Sequence, residues 1–266
     1  MSDDVLISAE RGVGRIRLNR PKAIHALTTE MCEVMSEALL RWRTDSNIQC
    51  ILIDHAEGRG FCAGGDVVML AKSGAGDAHK AKEFFFAEYR LNHLLFSYEK
   101  PTIAIMDGIT MGGGVGISQP CTFKVATENT RLAMPETGIG LFPDVGGGWY
   151  LSRLPGRAGQ FMALTGARLD GAECTYLGLA THYIPTASLE ELVDRIVTAP
   201  DRAQGTLTFQ DSGANHGTFD VTLAYFANGK VRELAKRRIQ LAANQRAVVH
   251  YGSIQPGQKT IPITIS

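Results

Sequence analysis

The sequence predicts an α/β fold in which buried strands alternate with crossover helices, and three observations carry that expectation. Short apolar runs at 50–53 and 102–106, the second rich in β-branched residues, read as buried strands. Ahead of the first run Met31, Val34, Met35, Ala38, Leu39 and Trp42 recur at i, i+3, i+4, i+7, i+8 and i+11, one apolar stripe on a helix. Glycine loops follow the strand signals, at 58–65 and again at 108–114.

Taken in order, residues 5–18 read as a hairpin, with a turn at Arg11-Gly12 and Ile16 and Leu18 alternating with Arg15 and Arg17. Residues 19–22 break that strand. Thr28 or Thr29 is the expected N-cap of the striped helix. Residues 78–97 form a long helix on which Phe84, Glu88, Leu91 and Leu95 share one narrow sector. A carboxylate there sits at the edge of the core or is held toward a ligand. Residues 149–154 and 157–165 are expected to be helical, the second closed by Gly166. Ser188-Leu189-Glu190-Glu191 reads as a capping box opening a helix striped by Leu189, Leu192, Val193, Ile196 and Val197. Beyond Pro200 the texture changes: 206–217 is polar and glycine-rich, and 231–243 has a basic helical pattern.

Composition bounds the function. The 27 basic and 27 acidic residues cancel, so no net field favours nucleic acid or an anionic membrane. Cys32, Cys50, Cys62, Cys121 and Cys174 are scattered and odd in number, which points to reduced thiols and a cytoplasmic setting. No zinc spacing, signal-peptide core or membrane-length apolar run is seen, and no metal is expected. The GxSxG elbow of serine hydrolases and the P-loop are also missing.

The chemistry concentrates in residues 101–148. A buried strand there ends at Asp107-Gly108, and Gly112, Gly113 and Gly114 follow, where a ligand can approach the backbone with no Cβ in the way. A helix starting here presents free N–H groups at its positive end. Glu136 and Asp144 lie downstream among glycines and prolines, in turns. That mixture suits a site that holds a carbonyl and delivers acid–base chemistry to it.

The segments NRPKAIHALT (19–28), GRGFCAGGD (58–66) and 101–148 together resemble the crotonase (enoyl-CoA hydratase/isomerase) superfamily. PETGIGLFPDVGGGWYLSRLPG (135–156) and EFFFAEYRLNHL (83–94) are similar to its hydrolase branch, which acts on 3-hydroxyisobutyryl-CoA. The resemblance covers roughly residues 5–197 and implies a crotonase-like spiral of ββα repeats with a helical C-terminal region. Residues 1–200 are then the acyl-CoA-binding core, and 201–266 an atypical or truncated C-terminal region. Homo-oligomers, trimeric or hexameric in many members, are expected.

The resemblance assigns roles by position. The backbone N–H groups of Gly65 and Gly113 form an oxyanion hole, while Glu136 and Asp144 are the catalytic carboxylates. Glu88, Gly113, Glu136 and Asp144 contact the substrate, and Lys22, Ala23 and Ala63 lie near the coenzyme A moiety, which is part of the substrate rather than a cofactor. Asp144 has a plainer alternative as a helix N-cap ahead of Gly146. His25 stands where the family commonly has asparagine, and Gly116 where hydratases carry their first catalytic glutamate. The implied reaction is hydrolysis of a short β-hydroxyacyl-CoA, 3-hydroxyisobutyryl-CoA of valine breakdown foremost. A hydratase or isomerase of the same fold is the alternative, and a non-catalytic acyl-CoA-binding or oligomerisation module the third reading.

Overall fold

The computed structural model describes residues 3–198 with their side chains, and beyond them the backbone of five strands between residues 206 and 265. Val5–Glu10 (β1) and Val13–Leu18 (β2) form the expected hairpin, with Val5 opposite Leu18 and Glu10 opposite Val13. Both turn residues, Arg11 and Gly12, have positive φ, the two-residue geometry that matches strand twist. Thr29–Thr44 (α1) is capped by Thr28, whose hydroxyl accepts a hydrogen bond from the Met31 N–H.

The chain then repeats one plan. Cys50–His55 (β3) and Gly60–Cys62 (β4) are followed by Val67–Gly74 (α2) and His79–Phe96 (α3). Thr102–Met106 (β5) and Ile109–Met111 (β6) are followed by Gly113–Ser118 (α4), and Phe123–Ala126 (β7) and Arg131–Ala133 (β8) come next. Gly147–Leu151 (α5), Ala158–Thr165 (α6), Leu169–Asp170 (β9), Gly171–Tyr176 (α7), His182–Tyr183 (β10) and Leu189–Thr198 (α8) complete the first part of the chain. The first strand of each pair enters a six-stranded sheet ordered β1-β2-β3-β5-β7-β10, parallel from β2 onward. The second strand enters a four-stranded sheet ordered β4-β6-β8-β9. Two sheets growing one strand per turn, with helices returning the chain, are the ββα spiral that the resemblance implied.

Alternation along β3 explains why its run is apolar throughout. Ile51 and Ile53 pack with Met31, Met35, Leu39 and Trp42 of α1 and with Phe84 and Leu91 of α3. Leu52 faces the other way, joining Val13, Ile105 and Val125 beneath Leu189, Leu192, Val193 and Ile196 of α8. Each such buried side chain contributes about 1.5–3 kcal/mol. Among the described residues no helix is long and apolar enough to cross a membrane, and all five cysteines are unpaired.

Two local expectations are corrected. Ser188 does not open a helix from an extended cap: it ends a 3-10 turn (Thr186–Ser188) that runs directly into α8. A capping box forms instead at α7, where the Asp170 side chain accepts from the Glu173 N–H and the Glu173 carboxylate from the Asp170 N–H, each at 2.8 Å. The C-terminal expectation of helices also fails. Thr206–Gln210 (β11), Arg246–Tyr251 (β14) and Ile263–Ile265 (β15) form one sheet, and Gly217–Ala227 (β12) pairs antiparallel with Lys230–Leu241 (β13). The basic pattern at 231–243 thus lies largely on a strand. Its partner GTFDVTLAYFA is dense in β-branched and aromatic residues, and cross-strand pairing overrides the weak helical preference of the basic segment. By internal packing the chain divides into Met1–Pro200 and Asp201–Ser266.

Candidate active site

Two backbone bends meet at the start of α4. Leu27 donates its N–H to the Gly64 carbonyl at 2.7 Å, and Asp66 donates to the Leu27 carbonyl at 3.0 Å. These bonds use the groups on either side of Gly65 and leave its own N–H directed away from Leu27, as extended backbone requires. Gly113 is the first residue of α4, where an N–H has no partner within the helix. Among the described residues neither amide makes a backbone hydrogen bond. A methyl group placed on Gly64 would lie 3.5 Å from the Gly113 nitrogen, and one on Gly113 would lie 3.3 Å from the Gly64 carbonyl carbon. The Gly64–Gly65 and Gly112–Gly113 peptides are therefore neighbours.

Three carboxyl groups approach this junction. Glu136 opens a 3-10 turn (Glu136–Ile139) after β8, is 5% exposed, and would have Oε1 2.9 Å from a methyl on Gly112. Glu88 of α3 is 2% exposed, and its Oε1 occupies the space a Gly113 side chain would need. Asp144 accepts a hydrogen bond from the Tyr89 hydroxyl at 2.7 Å. Asp144 does not cap α5, whose N-cap residue is Gly146 without a side-chain bond. Glu88 Oε1 and Glu136 Oε2 are buried with no hydrogen-bond partner among the described residues.

Burial pushes Glu88 up to about 8, with the charges of Asp144 and Glu136 adding to it. Burial likewise raises Glu136 to about 7, helped by Asp144, and burial raises Asp144 itself. Folding therefore favours protonated Glu88, a contribution present below its ordinary value of 4.5 and lost as pH rises through about 8. The melting temperature of Glu88→Gln is expected to gain on the parent chain as pH rises from 5 to 8 and then to level off. Thermal melts across that range check it, and a constant difference would refute a buried ionisation at this position.

Gly116 lies one turn along α4 from Gly113. A methyl there would sit 2.6 Å from Val145 Cβ and 3.0 Å from Asn92 Oδ1. The position to which the resemblance assigns the hydratase glutamate is thus closed by neighbours. Asn92 and Tyr89 escaped the sequence reading, although Asn92 stands four residues after Glu88 on the same face of α3.

Ala23, Ala63 and Gly65 line one cleft of about 970 Å³, together with Arg20, Lys72 and Lys80. Lys22 is exposed on the adjoining turn and is not among the lining residues. Arg20 clamps the cleft wall by donating to Asp66 Oδ2 at 2.8 Å and to the Ala26 carbonyl at 2.9 Å. Asp66 Oδ1 also caps α2 through the Met69 N–H.

His25 now has an account. It is fully buried with φ of 54°, a left-handed conformation that Asn and His tolerate better than most residues. Nδ1 accepts from the Arg20 N–H at 2.9 Å, so Nε2 carries the proton it donates to the Glu57 carbonyl at 2.9 Å. Burial lowers its pKa, so folding excludes the imidazolium. Its stabilisation is complete above the ordinary value of 6.5 and is lost as pH falls below it. Replacing His25 by asparagine is expected to flatten the fall in melting temperature between pH 7 and 5.

Comparison with known proteins agrees with this fold. A family model described as enoyl-CoA hydratase/isomerase matches residues 13–238, further than the motif resemblance reaches. The chain is 46% identical over 194 residues to the mitochondrial 3-hydroxyisobutyryl-CoA hydrolase of Danio rerio, covering 73% of this chain and 51% of that one. It is 42% identical over 208 residues to the small ribosomal subunit protein mS47 of Neurospora crassa, covering 77% and 41%. The chain thus spans about half the length of the curated relatives it matches. A crystal structure of a carnitinyl-CoA dehydratase from Mycobacterium thermoresistibile superposes with a TM-score of 0.73 at 46% identity, covering 75% of this chain and 58% of that one. A matched spiral and a family match over most of its residues establish that the chain belongs to the enoyl-CoA hydratase/isomerase family.

Proposed function

We propose that this chain hydrolyses a short β-hydroxyacyl-CoA thioester, 3-hydroxyisobutyryl-CoA foremost, as in valine breakdown. The observation that carries the reading is Glu136 beside two glycine amides that make no backbone hydrogen bond among the described residues, with the position expected for a second catalytic glutamate taken by Gly116 and closed by Val145. Hydration of a double bond on the two-glutamate plan needs a carboxylate where this chain has none. Thioester cleavage needs an oxyanion site and one carboxylate next to it, and those are present.

In this reading the acyl oxygen sits between the Gly65 and Gly113 N–H groups. Negative charge develops there as the carbon becomes tetrahedral, and each such donor is worth about 2.7–4 kcal/mol. Glu136, as carboxylate, either attacks the carbonyl to give an anhydride and CoA thiolate, or removes a proton from the attacking water. Asp144 positions the substrate hydroxyl or shares in proton transfer, and Glu88 contacts the acyl group. Arg20, Lys72 and Lys80 in the cleft beside Ala23 and Ala63 offer cations to the coenzyme phosphates. Lys22 reaches them only from the adjoining turn.

The test is a thiol-release assay. Free thiol from 3-hydroxyisobutyryl-CoA is expected at a higher rate than hydration of crotonyl-CoA. Hydration at an equal or higher rate would overturn the reading in favour of a hydratase. The ribosomal name of the Neurospora relative favours one second reading, an acyl-CoA-binding or assembly module without turnover. Binding of the thioester with no thiol release would select it. Native mass measurement tests the trimeric or hexameric assembly. The unpaired cysteines fit a reducing compartment, and fractionation decides between the cytoplasm and the mitochondrion named for the Danio relative.

A further inference from the structure

The helix pair α3 and α4 runs in a register whose second step the proposed reaction has not used. Glu88 lies against Gly113, and one turn further along both helices Asn92 lies against Gly116. Asn92 is 8% exposed, and both Oδ1 and Nδ2 are buried with no hydrogen-bond partner among the described residues. A buried carboxamide in a finished core is normally satisfied, because leaving a donor or acceptor unpaired costs about 1–3 kcal/mol. Asn92 is also one of the residues that line a cavity of about 640 Å³, together with Asp144, Tyr89, Phe96, Phe142 and Trp149. The aromatic walls suit a short branched carbon chain, and the Phe96 ring meets Trp149 edge-on at 5.7 Å.

We propose that Asn92 selects the hydroxylated acyl chain, its carboxamide hydrogen-bonding the substrate's β-hydroxyl one helical turn beyond the oxyanion amide. The proposal rests on the thioesterase reading above and adds the residue that sets its substrate class. Three residues of helix rise by about 4.5 Å from Gly113 to Gly116, a span suited to a hydroxyl two carbons beyond the carbonyl. A carboxamide offers both an acceptor and a donor, so it serves a hydroxyl in either sense. Asp144 stands in the same cavity, its Oδ2 accepting from Tyr89; as a carboxylate it can only accept from the hydroxyl, which leaves the donor to Asn92. Gly116 is then glycine for a second reason: any side chain would press on the Asn92 amide as well as on Val145.

The experiment compares 3-hydroxyisobutyryl-CoA with isobutyryl-CoA, which lacks only the hydroxyl, on the parent chain, Asn92→Leu and Asn92→Ala. The ratio of the two kcat/KM values is expected to favour the hydroxylated thioester in the parent and to fall about 10–100-fold in both variants. The rate on isobutyryl-CoA should stay within about threefold. Asn92→Leu should melt at or above the parent temperature, since it removes an unpaired buried amide. A purely structural asparagine would instead lower the melting temperature and both rates together. If the parent turns over neither thioester, the thioesterase reading fails, and calorimetric Kd values for the same pair still decide the role of Asn92. Retention of the parent's preference in both variants, by rate or by Kd, overturns the proposal, as does a parent without preference.

Discussion

Glutamine at position 136 is expected to reduce kcat for thiol release by about 10²–10⁴-fold, the usual worth of a positioned acid–base or nucleophilic carboxylate. The amide keeps the size of the side chain beside Gly112 and removes its ionisation, so KM should change little. The same residue sets the pH profile. Burial and the nearby Asp144 raise Glu136 to about 7, so the active carboxylate forms as pH rises through that value. Activity of the parent chain should therefore climb between pH 6 and 8, with Glu136→Gln flat over the same interval. Thiol release measured with both proteins at matched pH checks this. A variant that keeps more than a tenth of the parent rate would remove Glu136 from the chemistry.

That expectation comes from the family resemblance, which places the catalytic carboxylate at Glu136; the glycines and prolines around it indicate only a turn that can hold a carbonyl near an acid. The fold was legible in the residues themselves. The α1 stripe follows the 3.6-residue period and the β5 run is a short continuous apolar stretch, and the structure buries Met31, Met35, Leu39, Ala104, Ile105 and Met106 accordingly. Glu88 was ambiguous from periodicity alone, since a carboxyl on an apolar face is read only by knowing what it faces. The structure sets it against Gly113, a contact between residues 25 positions apart that no local pattern encodes. Asn92 carried the better signal. It shares a face with Glu88, and a second polar residue within one turn on an apolar stripe marks a polar seam rather than an accident. The meeting of Gly116 with Val145 stayed hidden because it depends on how the 140–146 loop folds over α4. The misread cap at Ser188 and strand β13 have another cause: side-chain preferences of a few tenths of a kcal/mol yield to the chain direction and pairing around them.

The second large effect is expected from a single methyl group. Alanine at position 113 adds a Cβ that collides with Glu88 Oε1 and comes within 3.1 Å of Leu27 Cδ1. Gly114 packs closely on the Cys62 carbonyl and Cys62 Cβ, which limits how far the start of α4 can shift. The carboxyl group of Glu88 must yield, and the 113 amide tilts with the strained start of α4. Loss of aim at one oxyanion donor costs about 10²–10³-fold in kcat, and the overpacking about 1–3 kcal/mol in stability. The two losses separate in a double variant. In a Glu88→Ala background the added methyl finds space, so Gly113→Ala should recover most of its stability there, while kcat stays low for want of the carboxyl proposed to contact the substrate. Denaturant titrations of the four proteins give the coupling, and thiol release gives the rates. Equal stability costs in both backgrounds would mean that Glu88 is not the group in the way, and full activity in Gly113→Ala would mean that the added methyl leaves the aim of its amide undisturbed.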